Sequence, residues 1–191
     1  MMVLCASSLM AFENLDVDHD KSLFALEVGG ASLDYDKTDV NTNPATFTSS
    51  SQTLGSAALK LGAESKNYRI FLFGRYSKDT DNVFDYIMHY GVEVDYFFHF
   101  SQYANFFIGV DGGVSYMKFT IDGEPRTRTI DSPFYGGCAG FNFHATRDID
   151  LEFGGRYEAF ADASNINDGV EYDFTGEMSA YASVIFKFQL D

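Results

Sequence analysis

The chain is organised by a period of two. From Tyr86 to Phe100 the even positions are Tyr86, Met88, Tyr90, Val92, Val94, Tyr96, Phe98 and Phe100. The odd positions include His89, Gly91, Glu93, Asp95 and His99. Successive side chains of a strand point to opposite faces, so this segment has one apolar or aromatic face and one polar or small face. Residues 149–162 repeat the pattern, with Ile149, Leu151, Phe153 and Tyr157 against Asp150, Glu152, Arg156 and Glu158. Residues 174–188 do so again: Phe174, Met178, Ala180, Ala182, Val184, Phe186 and Phe188 alternate with Thr175, Glu177, Ser179, Tyr181, Ser183 and Lys187. Weaker alternation predicts further strands at Leu23–Tyr35, Gly55–Glu64, Tyr68–Ser77, Asn105–Ile121 and Phe134–Ala145. Helical spacing is almost absent. The prediction is an all-β chain of eight strands.

The predicted connections alternate in length. Residues 36–54, 78–85, 122–132 and 165–172 form the longer ones, and 65–67, 102–104 and 146–148 the short turns. Sorting of loops by face is the mark of an antiparallel up-and-down transmembrane β-barrel with an even strand count. Both termini then lie on the short-turn side, which is the periplasmic side in an outer-membrane barrel. No apolar run reaches the ~18 residues of a membrane-spanning helix, but barrel strands need only ~9–11.

Alternation alone does not say which face is inside. In a soluble barrel of lipocalin type the apolar set points in, whereas in a membrane barrel it meets lipid. Composition tips the balance. The 191 residues include 20 Phe and 12 Tyr but no Trp, and many of these rings fall near predicted strand ends: Tyr68, Tyr76, Tyr86, Tyr96, Phe98, Phe106, Tyr116, Tyr135, Phe143, Tyr157, Phe174, Phe186 and Phe188. Such belts favour the two interfaces of a bilayer. The polar face mixes both charge signs. Its candidate lumen network is Glu27, Lys60, Arg69, Arg75, Glu93, Asp95, Asp111, Glu152, Arg156, Glu158, Glu177 and Lys187, with Glu64 and Asp150 on the same phase. A narrow lumen tolerates these groups only as paired, hydrogen-bonded networks.

Here the chain resembles the small eight-stranded outer-membrane barrels of the OmpA transmembrane-domain, OmpX and OmpW kind. The resemblance is carried by the stretch from Asp95-Tyr96-Phe97-Phe98 through Gly109-Val110-Asp111-Gly112-Gly113 to Tyr116, by the hairpin from Ala145 to Tyr157, and by the closing strand. It implies a protein of the cell outer membrane with both termini periplasmic, surrounded by membrane lipid and lipopolysaccharide. It also implies recognition of the last strand by the barrel-assembly machinery through a terminal aromatic residue. In this chain Phe188 is followed by three further residues. Residues 1–12 (MMVLCASSLMAF) read as the apolar core of a signal peptide, with the barrel domain over 13–191. Cys138 is then the one thiol of the mature chain.

The net charge is −15, and no basic cluster offers a nucleic-acid face. The four histidines, His19, His89, His99 and His144, do not form the His and Ser pair that a lipid A deacylase needs on its late strands. No catalytic, cofactor or metal residues are assigned. Asp16-Val17-Asp18-His19-Asp20 begins like a calcium loop, but Lys21 stands where the loop needs glycine. It reads as a solvated acidic segment. Arg126 and Arg128 are the loop residues suited to lipopolysaccharide phosphates. The function expected is non-catalytic, either membrane-structural or surface interaction through four outer loops with an unidentified extracellular partner. A narrow channel or carrier for a small or apolar solute is the alternative, and a soluble carrier the second.

Overall fold

A computed structural model describes residues 21–41, 44–79, 84–120, 127–161, 163–167 and 169–189. The predicted signal segment lies outside them. The strands are β1 (Lys21–Asp39), β2 (Thr46–Glu64), β3 (Tyr68–Asp79), β4 (Phe84–His99), β5 (Ala104–Thr120), β6 (Thr127–His144), β7 (Ile149–Phe160), β8 (Ser164–Asn167) and β9 (Val170–Phe188). Each pairs antiparallel with the next, except that β7 pairs with β9 and β8 is a short addition on the edge of β9. β1 pairs with β9 from Ser22↔Phe188 to Asp39↔Val170, which closes the sheet into an eight-stranded barrel. Closure leaves every membrane-depth backbone group with a partner on a neighbouring strand, the condition for crossing hydrocarbon.

The faces are inverted relative to a soluble protein. On the short-turn side and through the middle, outward positions are apolar and exposed: Leu26, Val28, Leu59, Leu61, Leu72, Val92, Val94, Ile108, Val110, Val114 and Met178. The inward positions there hold the charges. A soluble lipocalin arrangement is therefore excluded for this part of the barrel. Two rings of aromatics bound the apolar band. Toward the short turns, Tyr68, Tyr96, Phe98, Phe106, Phe141, Phe143 and Phe153 form a chain of ring contacts with centroids 5.0–6.2 Å apart or 6.4 Å for Phe141–Phe143. Toward the loops, Tyr76, Tyr86 and Tyr116 stack at 5.9 and 6.1 Å. Ten residues separate Phe106 from Tyr116; at ~3.4 Å per residue and a tilt of ~40° the band is ~26 Å tall, the height of a barrel's hydrocarbon-facing zone.

Beyond the tyrosines the pattern exchanges. Outward positions become Ser32, Asp34, Thr53, Lys78, Lys118, Thr129 and Asp131. Inward positions become Ala31, Leu33, Leu54, Ile87, Met117, Phe119, Ile130, Tyr172 and Phe174, which pack into one buried apolar cluster. The upper barrel is thus built like a soluble protein, standing on a lower barrel built for lipid.

Several expectations change: of the predicted loops, residues 127–132 belong to β6, and 165–167 and 170–172 to β8 and β9. Residues 36–54 were predicted as a loop, but most of this stretch is strand: Tyr35–Asp39 pairs with Thr46–Ser50. The run Thr48-Ser49-Ser50-Ser51-Gln52-Thr53 is polar on both faces and so carries no alternation to read. Phe174 was grouped with the outward aromatics. A register shift beside Gly176, where Asp34 pairs with Gly176 but Tyr35 with Phe174, takes one residue out of phase. Such a bulge moves every side chain beyond it to the other face. Phe174 is buried, 1% exposed, in the interior cluster.

Glycine is required where large lumen side chains lie flat on the wall. Gly154 pairs with Tyr181, and a Cβ at Gly154 would stand 2.7 Å from the Tyr181 ring. Gly154→Ala should lower stability by roughly 1–3 kcal/mol, the usual cost of overpacking, read as a lower urea midpoint for loss of the heat-modifiable folded band in detergent.

Candidate functional site

Among the described residues the lumen concentrates the chemistry, arranged in tiers along the barrel axis. At the short-turn mouth, Lys187 Nζ contacts Glu64 at 2.8 Å and Asp150 at 2.6 Å. Asp150 also accepts a hydrogen bond from Asn142 Nδ2 at 2.7 Å and lies 2.9 Å from His144 Nδ1. Above it Arg69 is fully buried. Its guanidinium reaches Asp95 at 2.7 Å and Glu152 at 2.5 Å, and lies 4.8–5.2 Å from the ring centroids of Phe71, Phe97 and Phe107. Rings and carboxylates together replace the water a guanidinium would otherwise keep.

The central tier holds five groups. Lys60 Nζ lies 2.7 Å from Glu27 and 2.9 Å from Glu93. Arg156 contacts Glu27 at 3.2 Å, Glu93 at 2.5 Å and Asp111 at 3.0 Å. Tyr181 underlies both cations, at 4.7 Å from Arg156 and 5.1 Å from Lys60. Above this tier Arg75 pairs with Glu158 and lies 3.7 Å from Glu177. His89 faces the same two carboxylates, Nε2 at 3.5 Å from Glu177 and Nδ1 at 4.0 Å from Glu158. Beyond it, toward the loop side, lies the apolar cluster of the upper barrel.

All twelve residues of the candidate network face this interior, and none is more than 8% exposed. Three further residues join the network: His89 and His144, which the sequence reads as lumen or periplasmic-rim polar groups, and Asn142, which it left out. His144 and Asn142 join through Asp150, and His89 joins the upper tier. Their shared inward phase with the charged residues was the available signal: His89 lies four residues from Glu93, and Asn142 and His144 alternate on one strand. The structure places Arg128 inside the upper barrel, 5% exposed, with its guanidinium 5.4 Å from the Tyr172 ring centroid. It points inward, away from the outer surface where a lipopolysaccharide phosphate would lie. Arg126 is outside the described residues.

A cavity of about 330 Å³ opens at the short-turn mouth, lined by Lys21, Glu64, Lys66, Phe97, His99, Asn105 and His144. Phe97, one of its lining residues, is also one of the rings around Arg69. Cys138 is buried with its Sγ 3.4 Å from Asp95 Oδ1, which leaves the thiol without access to solvent reagents.

No family model matches the chain, and no curated protein matches it. Solved structures do. The Neisserial surface protein A structure is 18% identical, with a TM-score of 0.58, over 86% of this chain and 97% of that one. The fold is that of the small outer-membrane β-barrels. Two further matches are the attachment invasion locus protein Ail of Yersinia pestis, 17% identical with a TM-score of 0.39 over 87% and 99% of the two chains, and the N-terminal barrel domain of Pseudomonas aeruginosa OprF, 13% identical with a TM-score of 0.47 over 87% and 97%.

The tiers make Arg156 the hub, since it contacts three carboxylates. Removing one partner of a buried pair leaves uncompensated charge and costs about 3–5 kcal/mol. Arg156→Met should lower the unfolding free energy of the barrel in detergent by an amount of that order, read as a lower urea midpoint. Adding Glu93→Gln to Arg156→Met should restore part of the loss, because it removes one of the stranded charges.

Proposed function

We propose that this chain is a non-conducting, non-catalytic barrel of the Gram-negative outer membrane, which holds a rigid surface platform above the lipid. The observation that carries this reading is the apolar seal of the upper barrel. Leu33, Leu54, Ile87, Met117, Phe119 and Phe174 fill the lumen where a channel would need its outer mouth. Beneath it four tiers of side chains occupy a bore that eight strands already make narrow. A diffusing ion would have to displace both.

The exchange of faces above the tyrosine ring supports the second half of the reading. Strand pairing continues well past the lipid-facing band: β1 and β2 pair to Asp39↔Thr46, and β1 and β9 to Asp39↔Val170. With a packed interior and a polar exterior, the paired strands present an ordered surface above the lipid. The short turns and both described ends of the chain lie at the opposite mouth, where Ser22 pairs with Phe188. In this reading they face the periplasm, and the upper barrel meets the outside and the lipopolysaccharide layer.

Two measurements test the reading. Purified protein in planar bilayers should give no steady conductance, and sustained single-channel steps would reject the non-conducting part. Ser51→Cys should react with a membrane-impermeant maleimide on intact cells, whereas Ser65→Cys should react only after permeabilisation. The reverse labelling order would invert the orientation.

A further inference from the structure

The four tiers share one deficit. At the mouth Lys187 stands against Glu64 and Asp150. Arg69 stands against Asp95 and Glu152. In the centre Lys60 and Arg156 stand against Glu27, Glu93 and Asp111. In the upper tier Arg75 stands against Glu158 and Glu177. Each tier is one positive charge short. In a buried interior such a deficit is costly, and it draws in protons or cations.

The upper tier is built to take a cation. His89 is 0% exposed, and Glu158 and Glu177 are 1% exposed. Neither ring nitrogen of His89 has a hydrogen-bond partner, nor does either oxygen of Glu177 or Oε1 of Glu158. One ligand atom from each of the three residues lies within 4.8 Å of the others. The His89 Nε2 to Glu177 Oε2 distance of 3.5 Å is long for a hydrogen bond. It suits two ligands of one tetrahedral ion, which at bond lengths of ~2.0–2.2 Å stand ~3.4 Å apart; Glu158 lies nearest the other ring nitrogen, 4.0 Å from Nδ1, and turns toward Nε2 to complete the set.

We propose that His89, Glu158 and Glu177 hold one divalent transition-metal ion of the zinc class inside the barrel. An imidazole with two carboxylates is a zinc-type ligand set, and a water completes the tetrahedron. Arg75, hydrogen-bonded to Glu158, orients that carboxylate from behind. A divalent ion answers at one site a deficit that protons would meet only on two separate groups. A proton on His89 neutralises the upper tier alone. Two charges there also compensate the central tier, whose surplus carboxylate, Asp111, lies next to Glu158: a Cβ built on Gly136 would sit 2.6 Å from Asp111 Oδ1 and 2.9 Å from Glu158 Cγ. The apolar cluster above shields the site from the loop side. The ion is structural, tying β4 to β7 and β9 across the bore.

The test is refolding of the full chain into detergent from a chelator-treated unfolded state, with one equivalent of Co²⁺ as a spectroscopic probe or of Zn²⁺ alone. The expected result is one metal retained per folded barrel after gel filtration, with visible d–d bands of tetrahedral Co²⁺. His89→Gln and Glu177→Gln should each reduce retention at least tenfold, while His144→Gln, which alters the other histidine–carboxylate pair, should leave it unchanged. If either variant fails to fold, the wild-type spectrum decides: a thiolate-to-cobalt charge-transfer band would put the ion at Cys138 with Glu93 and Asp111 and overturn the proposal. A folded wild-type barrel that retains no metal, or retention that survives His89→Gln, overturns the proposal. A doubly protonated His89 ring in the zinc-treated barrel by nitrogen NMR also overturns it.

Discussion

Buried charge must be matched, and in this barrel that constraint takes the place a hydrophobic core holds elsewhere. At membrane depth lipid takes most of the aliphatic side chains, so the interior there receives the charged ones. An eight-stranded bore has little room for water to solvate them. Each guanidinium and ammonium therefore sits among carboxylates, with aromatic rings filling the remaining directions. Arg69 between Asp95, Glu152 and three Phe rings is the clearest case. The pairs cross the bore and connect strands remote in sequence: Arg156 on β7 meets Glu27 on β1, Glu93 on β4 and Asp111 on β5. They thus resist the same distortions that a packed core resists. The glycines opposite Tyr181 and its neighbours follow from this, because bulky lumen groups need flat stretches of wall.

How much of this could be read from the sequence depends on whether local periodicity carried the information. Strand β4 was legible almost residue by residue, since Glu93 and Asp95 alternate with Val92, Val94 and Tyr96 across a full span. The members of the charged interior were legible for the same reason. Which cation meets which carboxylate was not, because pairs such as Arg69–Glu152 are set by barrel closure and shear rather than by spacing along the chain. The strand over residues 46–53 was missed because a Ser/Thr ladder is polar on both faces. The inward turn of Phe174 was missed because a single bulge reverses parity without leaving a mark in composition. The inward turn of Arg128 has a related cause: once the upper barrel reverses its faces, a basic residue near a loop need not face outward.

That reversal also explains an ambiguity in the reading of the chain. A membrane barrel and a soluble barrel were competing accounts of one alternation, and the molecule uses both in succession. Leu33 and Glu27 share the inward phase of β1, yet one sits in an apolar cluster and the other in an ion-pair network. No rule that assigns one polarity to the interior could place both.

The exchange of faces has a consequence for how the protein sits in its bilayer. Ser32, Lys78, Lys118 and Asp131 begin the polar exterior on β1, β3, β5 and β6, and together they draw a waterline around the barrel. Sinking further would drag charge into hydrocarbon, and rising would expose the phenylalanine ring below. Immersion is therefore fixed by sequence to within about a residue's rise, and a thicker or thinner membrane must adjust to the protein at a modest cost per ångström. Because the part above the waterline is a packed body in its own right, evolution can lengthen or reshape it without disturbing the draught of the hull beneath.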